Sequence, residues 1–166
     1  MAADEFVRRQ GVRSGMALAG FLALCLFVSA LGGWVTSTSV GSWYQTLDKP
    51  SFNPPDWLFA PVWTALYIMI AFAGWRIWRK AGFDRARAAF IAYFTQLGLN
   101  LLWSFLFFGA QNAALALGEI LLLLAAIIVT ALLFARIDKI AAFLFVPYAT
   151  WVAFATLLNA SIVVLN

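Results

Sequence analysis

Histidine is missing from this 166-residue chain, and cysteine occurs once, as Cys25. Without histidine there is no imidazole to ligate a metal, to carry a proton near neutral pH or to hold a haem iron. A single cysteine forms no disulfide and no metal cluster within the chain. No metal site is therefore expected. Charge is scarce too, at 11% of residues, where a soluble domain carries about 25%. Paired carboxylates, a Ser-His-Asp set and a glycine-rich phosphate loop are all absent, so no conventional catalytic constellation is available. Internal repeats and low-complexity tracts are absent as well.

What is abundant is apolar surface. Hydrophobic residues make up 64% of the chain, far more than one soluble core can hide. They fall into five runs, roughly 15–36, 58–78, 86–108, 113–135 and 140–164. At 1.5 Å per helical residue, about 20 residues cross a ~30 Å hydrocarbon core. Backbone groups in lipid must be satisfied within their own segment, so each run is expected to be a helix. The alternating short strands of a membrane barrel are not there. The expected architecture is one all-α integral membrane domain over 1–166, a bundle of five transmembrane helices. The first run, with Arg8, Arg9 and Arg13 ahead of it and Val28-Ser29-Ala30 inside, is longer than the apolar core of a secretory signal and is read as a span.

Basic residues set the topology. Arg8, Arg9, Arg13, Arg76, Arg79, Lys80, Arg85, Arg87, Arg136 and Lys139 fall on one side of such a bundle and only Lys49 on the other. The positive-inside rule then makes the N-terminus cytoplasmic and puts the 37–57 loop, the 109–112 turn and the C-terminus outside, with a bacterial inner membrane the expected location. The net charge of +4 anchors helix ends and calls for no nucleic acid.

Four of the five prolines (Pro50, Pro54, Pro55, Pro61) and three of the eight tryptophans (Trp43, Trp57, Trp63) lie between Trp43 and Tyr67. Proline fixes φ and removes a donor, so this segment cannot be one regular helix. A rigid aromatic loop between spans is read as a lid, carried by Trp43, Pro50, Asn53, Pro54, Pro55 and Trp57. Within the spans, Gln96, Asn100, Trp103 and Phe107 form one stripe at i, i+4, i+7 and i+11. Trp63 and Tyr67 share a face of the second span. Tyr148, Trp151, Ala155 and either Leu158 or Asn159 share a face of the fifth. Uncharged amides face the bundle interior rather than lipid, whether as interhelical glue or as ligand contacts. Tyr67, Asn100 and Ala155 lie ~14, ~12 and ~14 Å below the outer ends of their helices. Aromatic and amide groups from three spans thus converge at one depth under the loop, an arrangement suited to a large flat conjugated ligand. The opposing reading is an aromatic core with interfacial belts, to which Trp34, Trp75 and Trp78 conform. Gly15, Gly20 and Gly32-Gly33 in the first span read as close packing or a kink, and Ala88-x-x-x-Ala92 as one small-residue face for a second copy. Glu119 is the lone acid well inside a span, either a functional group or a residue near the headgroups or a subunit contact.

The sequence Trp43-Tyr44, Leu47, Lys49-Pro50, Asn53-Pro54-Pro55, Trp57, Phe59, Pro61, Trp63-Thr64 and Leu66-Tyr67 resembles the signature of the translocator protein (TspO/MBR) family, also called tryptophan-rich sensory proteins or peripheral-type benzodiazepine receptors. The likeness continues through Gln96-Leu97, Asn100, Leu102-Trp103, Phe107-Phe108-Gly109, Val146-Pro147-Tyr148, Trp151, Leu158-Asn159 and Leu165-Asn166. The resemblance implies a bacterial member with five spans, often a homodimer. It implies binding of porphyrins such as protoporphyrin IX or a haem-like tetrapyrrole, and of synthetic benzodiazepine and isoquinoline-carboxamide ligands, with no cofactor required. Carried over by motif, the pocket comprises Trp63, Tyr67, Asn100, Trp103, Trp151, Ala155 and Leu158. Gln96, Phe107 and Tyr148 join it on the helical stripes. Trp63 and Trp151 correspond to the tryptophan pair linked, in bacterial members, to light-driven porphyrin breakdown. Ala160 and Val164 stand where the family's sterol motif has tyrosine and arginine, so sterol binding there is doubtful. Four functions stay open on this reading: a porphyrin sensor and regulator, a light- and oxygen-dependent porphyrin-degrading enzyme, a transporter of porphyrin or sterol, and a scaffold.

Overall fold

The computed structural model describes residues 2–166, with side chains described from residue 11 onward, so Arg8 and Arg9 lie outside the described side chains. Its elements are α1 (Ala2–Ser37), the short α2 (Trp43–Thr46), a single 3-10 turn (Asp56–Leu58), α3 (Phe59–Arg85), α4 (Arg87–Ser104), a π-helical turn (Phe105–Gly109), α5 (Ala113–Ala135), α6 (Lys139–Phe143) and α7 (Val146–Leu165). No strand occurs among the described residues. Five helical segments are long and apolar enough to cross a membrane: Gly11–Ser37, Asp56–Arg85, Arg87–Gly109, Ala113–Ala135 and Lys139–Leu165. The chain is an all-α, five-span integral membrane protein.

Four boundaries differ from the sequence reading, each for a local reason. The first helix begins well before residue 15. The second runs past 78 to Arg85, with a kink at Gly82 (φ +68°, ψ 178°), a backbone conformation essentially reserved for glycine. The fifth span is two helices, because Pro147 has no N–H to offer the Phe143 carbonyl. The 37–57 loop carries the one-turn helix α2.

α1 packs against α3 and α4, α4 against α5, and α5 against α7, while α6 reaches α3 at the basic end. α3 and α7 are not close neighbours along their length. Rings fill the interval between them, with Phe59 against Trp151 (centroids 6.0 Å) and Trp63 against Tyr148 (6.2 Å). The core toward the basic end centres on Tyr93, which has no exposed surface. It stacks on Phe134 at 5.9 Å, its hydroxyl donates to the Ile70 carbonyl (3.3 Å), and it touches the Cys25 thiol (3.3 Å).

Gly74 permits this close approach. A Cβ there would sit 2.8 Å from Tyr93 Cζ and 2.9 Å from Phe21 Cε1. Tyr93 is fixed on all sides and cannot yield. Gly74→Ala is therefore expected to destabilise the fold by about 1–3 kcal/mol, read as an earlier denaturation midpoint in detergent. An unchanged midpoint would mean that Tyr93 is free to swing away.

The 109–112 turn is tight, as expected. The π-helical turn closes with Ala110 N–H donating to the Phe105 carbonyl (2.7 Å), and Gln111 adopts φ +54°. Widening the helix by one residue per turn brings both Phe107 and Phe108 inward. Asn112 caps α5 by accepting from Leu115 N–H at 2.9 Å.

At the other end Asp138 is almost wholly buried and caps α6, accepting from the backbone N–H groups of Ile140 (2.9 Å) and Ala141 (3.5 Å). Arg76 Nε and Nη2 (both 2.9 Å) and Lys80 Nζ (3.1 Å) reach the same carboxylate. Burial pushes the carboxyl up, but Lys80, the two backbone N–H groups and Arg76 together hold it below the usual carboxylate range.

Candidate functional site

A cavity of about 380 Å³ lies in the proline-loop half of the bundle. It is predominantly apolar, within the ordinary size range of small-molecule sites. α3 supplies Trp63, Thr64 and Tyr67 to its wall. The Asn100 end of α4 supplies Asn100, Trp103 and Ser104, and the π-helical turn supplies Phe107 and Phe108. α7 supplies Trp151, Ala155, Leu158, Asn159 and Ile162. Of the residues singled out from sequence as ligand contacts, Trp63, Tyr67, Asn100, Trp103, Phe107, Trp151, Ala155 and Leu158 all border this space. Where Leu158 and Asn159 were alternatives, both do.

Gln96 and Tyr148 do not. Both are fully buried behind the wall. Their stripes point inward, but one turn deeper the helices have closed on each other. The two residues instead brace the cavity floor through a chain of hydrogen bonds. Tyr67 donates to Asn100 Oδ1, Asn100 Nδ2 donates to Tyr148 Oη (2.9 Å), and Tyr148 Oη donates to Gln96 Oε1 (3.0 Å). This chain ties α3, α4 and α7 together, so the packing role and the positioning of cavity-facing Asn100 coincide. A second chain runs along the α5 side. Trp103 Nε1 donates to Asn159 Oδ1 (3.3 Å), and Asn159 Nδ2 donates to the Ala113 carbonyl (2.8 Å). Trp103 is thereby held in a stack on Phe107 at 5.0 Å and 20°. Trp151 Nε1 is buried with no hydrogen-bond partner in the protein.

The loop forms a fastened roof. Asp48 and Asn166 exchange two hydrogen bonds of 3.0 Å, Ser39 Oγ donates to the Phe108 carbonyl (2.7 Å), and Gln45 Nε2 bridges Val40 O and Asp56 Oδ2 (both 2.9 Å). Lys49 donates to the Tyr44 carbonyl (2.7 Å) and lies 4.7 Å from the centre of the Tyr44 ring. Burial, and then the nearby Asp56 carboxylate, push the Tyr44 phenol above its usual value; it stays protonated and donates to Asn53 Oδ1 (2.9 Å). The residues of the roof that border the cavity are Val40, Tyr44 and Asp56. The six assigned from sequence do not. Trp43 packs on Phe107 (5.5 Å), Asn53 holds Tyr44, Pro50, Pro54 and Pro55 stiffen the chain, and Trp57 is 71% exposed.

The sequence reading missed the contribution of α1. Ser29, Gly32, Gly33 and Thr36 line one side of the cavity. Their spacing of i, i+3, i+4 and i+7 is itself a helical stripe of small polar residues. Of this stripe only Gly32-Gly33 stands out in the sequence, as close packing or a kink. It is partly that: a Cβ on Gly32 would come within 3.2 Å of Ser104 Oγ. Glu119 lies on α5, which contributes nothing to the cavity. Its carboxylate is buried and has no hydrogen-bond partner in the protein.

Fold and cavity together define a polytopic membrane protein with an aromatic-walled cavity between its helices. The model of the TspO/MBR family matches residues 21–165, and the chain belongs to that family. It is 43% identical over 155 residues to the tryptophan-rich protein TspO of Chlorobaculum tepidum, covering 91% of this chain and 96% of that one. It is 37% identical over 138 residues to the translocator protein of Sus scrofa, covering 80% and 82%. It is 36% identical over 143 residues to the tryptophan-rich sensory protein of Cereibacter sphaeroides, covering 84% and 89%.

Proposed function

We propose that this protein binds porphyrins, and other flat aromatic molecules of the benzodiazepine and isoquinoline-carboxamide classes, and acts as a sensor and regulator of tetrapyrrole levels. The observation that carries this reading is the cavity wall: Trp63, Trp103, Trp151, Phe107 and Tyr67 surround one apolar space, with Asn100 on its floor. Indole and phenyl faces stack on a conjugated macrocycle, and the few polar groups orient its edge. The unpaired Trp151 N–H adds a donor for an acceptor on the ligand rim. The word "sensory" in the name of the Cereibacter sphaeroides relative agrees with a binding rather than a metabolic role. The positive-inside rule applied to Arg13, Arg76, Arg79, Lys80, Arg85, Arg87, Arg136 and Lys139 against Lys49 makes the N-terminus cytoplasmic, so the cavity opens in the outer leaflet. The same charge bias supports residence in a bacterial inner membrane. A homodimer is proposed on family grounds.

Titrating the purified protein with protoporphyrin IX in the dark is expected to quench tryptophan fluorescence saturably. Replacing Trp63 and Trp151 together by phenylalanine weakens binding between about 5-fold and 150-fold, at ~0.5–1.5 kcal/mol for each of the two aromatic contacts. Unchanged affinity in the double variant would reject the pocket.

A second reading is favoured by the placement of Trp63 and Trp151 on facing walls of one cavity. In it, the pair takes part in oxidative breakdown of bound porphyrin, with light and molecular oxygen as co-reactants. Illuminating the complex and analysing products separates the two. A discrete linear tetrapyrrole that disappears in the double variant indicates catalysis, whereas bleaching at equal rates in both proteins excludes it.

A further inference from the structure

A second cavity, of about 320 Å³, lies at the opposite end of the bundle between α1 and α3. Arg13 and Ser14 of α1 and Trp78, Arg79 and Gly82 of α3 border it, and it shares no residue with the aromatic cavity. Its lining differs from the first: two arginines, a serine, a tryptophan and a glycine. Arg79 is oriented in advance, because its guanidinium stacks 4.6 Å from the Trp75 ring centre. Trp75 is itself fastened, its Nε1 donating to the Ser14 carbonyl at 3.0 Å, which also joins α3 to α1 beside the cavity. The kink at Gly82 leaves open space where a Cβ would stand, so a ligand can approach the backbone there. Of the other cations of this helix, Arg76 and Lys80 are engaged by Asp138. Among the described residues no acid borders the cavity. Arg13 just precedes the apolar run 15–36, and Arg79 lies near the end of Asp56–Arg85, which is headgroup depth.

We infer that this cavity is a binding site for a phosphate oxyanion, filled in the membrane by the headgroup of an anionic phospholipid. Forked guanidinium donors match phosphate oxygens in pairs, and basic pockets between membrane helices are where anionic headgroups lodge. The indole of Trp78 sits where an interfacial ring meets the glycerol region.

The test uses the full chain, delipidated in detergent and re-supplied with phosphatidylglycerol or phosphatidylcholine, with retained lipid counted by native mass spectrometry. The wild-type protein is expected to retain phosphatidylglycerol preferentially. Arg13→Gln and Arg79→Gln are each expected to cut that preference about fivefold. Arg87→Gln, a cation at the same end but outside the cavity, keeps it, and thermal melts establish that all variants are folded. An excess of inorganic phosphate identifies the source. Lipid that stays bound assigns the site to the headgroup, and a phosphatidylglycerol preference that inorganic phosphate abolishes in the wild-type protein assigns it to soluble phosphate. Equal retention of the two lipids by wild type overturns the inference. So does a preference that survives loss of both arginines, or one that Arg87→Gln reduces to the same extent.

Discussion

Ala155→Trp is expected to abolish porphyrin binding, with a loss of more than ~100-fold, while the protein still folds. Ala155 lies on α7 between Trp151 and Leu158 and faces the same space as Trp63, Trp103 and Asn100. An indole grafted there occupies the volume a macrocycle needs. Displacing it would break its new apolar contacts, and each 1.4 kcal/mol of that cost is a factor of ten in affinity. The helix itself tolerates the change, since the added ring enters a void rather than a packed core. Ala155→Ser, which keeps the space open, serves as the control. A dark titration with protoporphyrin IX, alongside thermal melts of both variants, gives the answer. Wild-type affinity in Ala155→Trp would place the ligand somewhere other than this cavity.

The largest loss of stability is expected at the opposite end, from Asp138→Ala. That carboxylate caps α6 and holds Arg76 and Lys80 against the junction of α5 and α6. Removing it forfeits the cap, worth ~0.5–2 kcal/mol, and leaves the half-buried Arg76 without its partner. Arg76 and Lys80 retain some exposure, so they relax toward the headgroups, and the net cost is about 2–4 kcal/mol. Asp138→Asn keeps the capping oxygen and is expected to lose less. The pH dependence has a definite sign. The native carboxyl is held below its unfolded value near 3.9, so its contribution is complete above that value. It is lost as pH falls through the lower native one. Acid unfolding followed by circular dichroism should therefore show wild type losing stability below about pH 4, more steeply than Asp138→Ala does. Parallel acid profiles for the two proteins would show that the pair contributes nothing.

Gln96 and Tyr148 show where reading a stripe of residues stops short. Their helical phase is right: both side chains point into the bundle and both are polar. Phase alone does not say whether the neighbouring helix is near or far at that depth. At the level of Asn100 the helices enclose a space; at the level of Gln96 and Tyr148 they have closed. The stripe of Ser29, Gly32, Gly33 and Thr36 illustrates the converse. Small residues are compatible with close contact and with an open wall alike, and the structure uses Gly32 against Ser104 for one and its neighbours for the other. The lid residues divide similarly. The prolines and tryptophans announce a stiff connector, but it is Val40, Tyr44 and Asp56 that meet the cavity, because Asp48–Asn166 and Ser39–Phe108 hydrogen bonds set how the connector lies.

Run length, the need of every backbone group in lipid for a partner within its own helix, and the inward phase of amides and rings are local properties, and they were enough to determine five spans, the helical class and the tryptophans and asparagines around the cavity. The distances between helices were decided only in the folded bundle. The hollow near Asn100, the closed floor at Tyr148, the α1 wall and the Arg13–Arg79 cleft depend on contacts between residues far apart in the chain, and no window of sequence contains both partners.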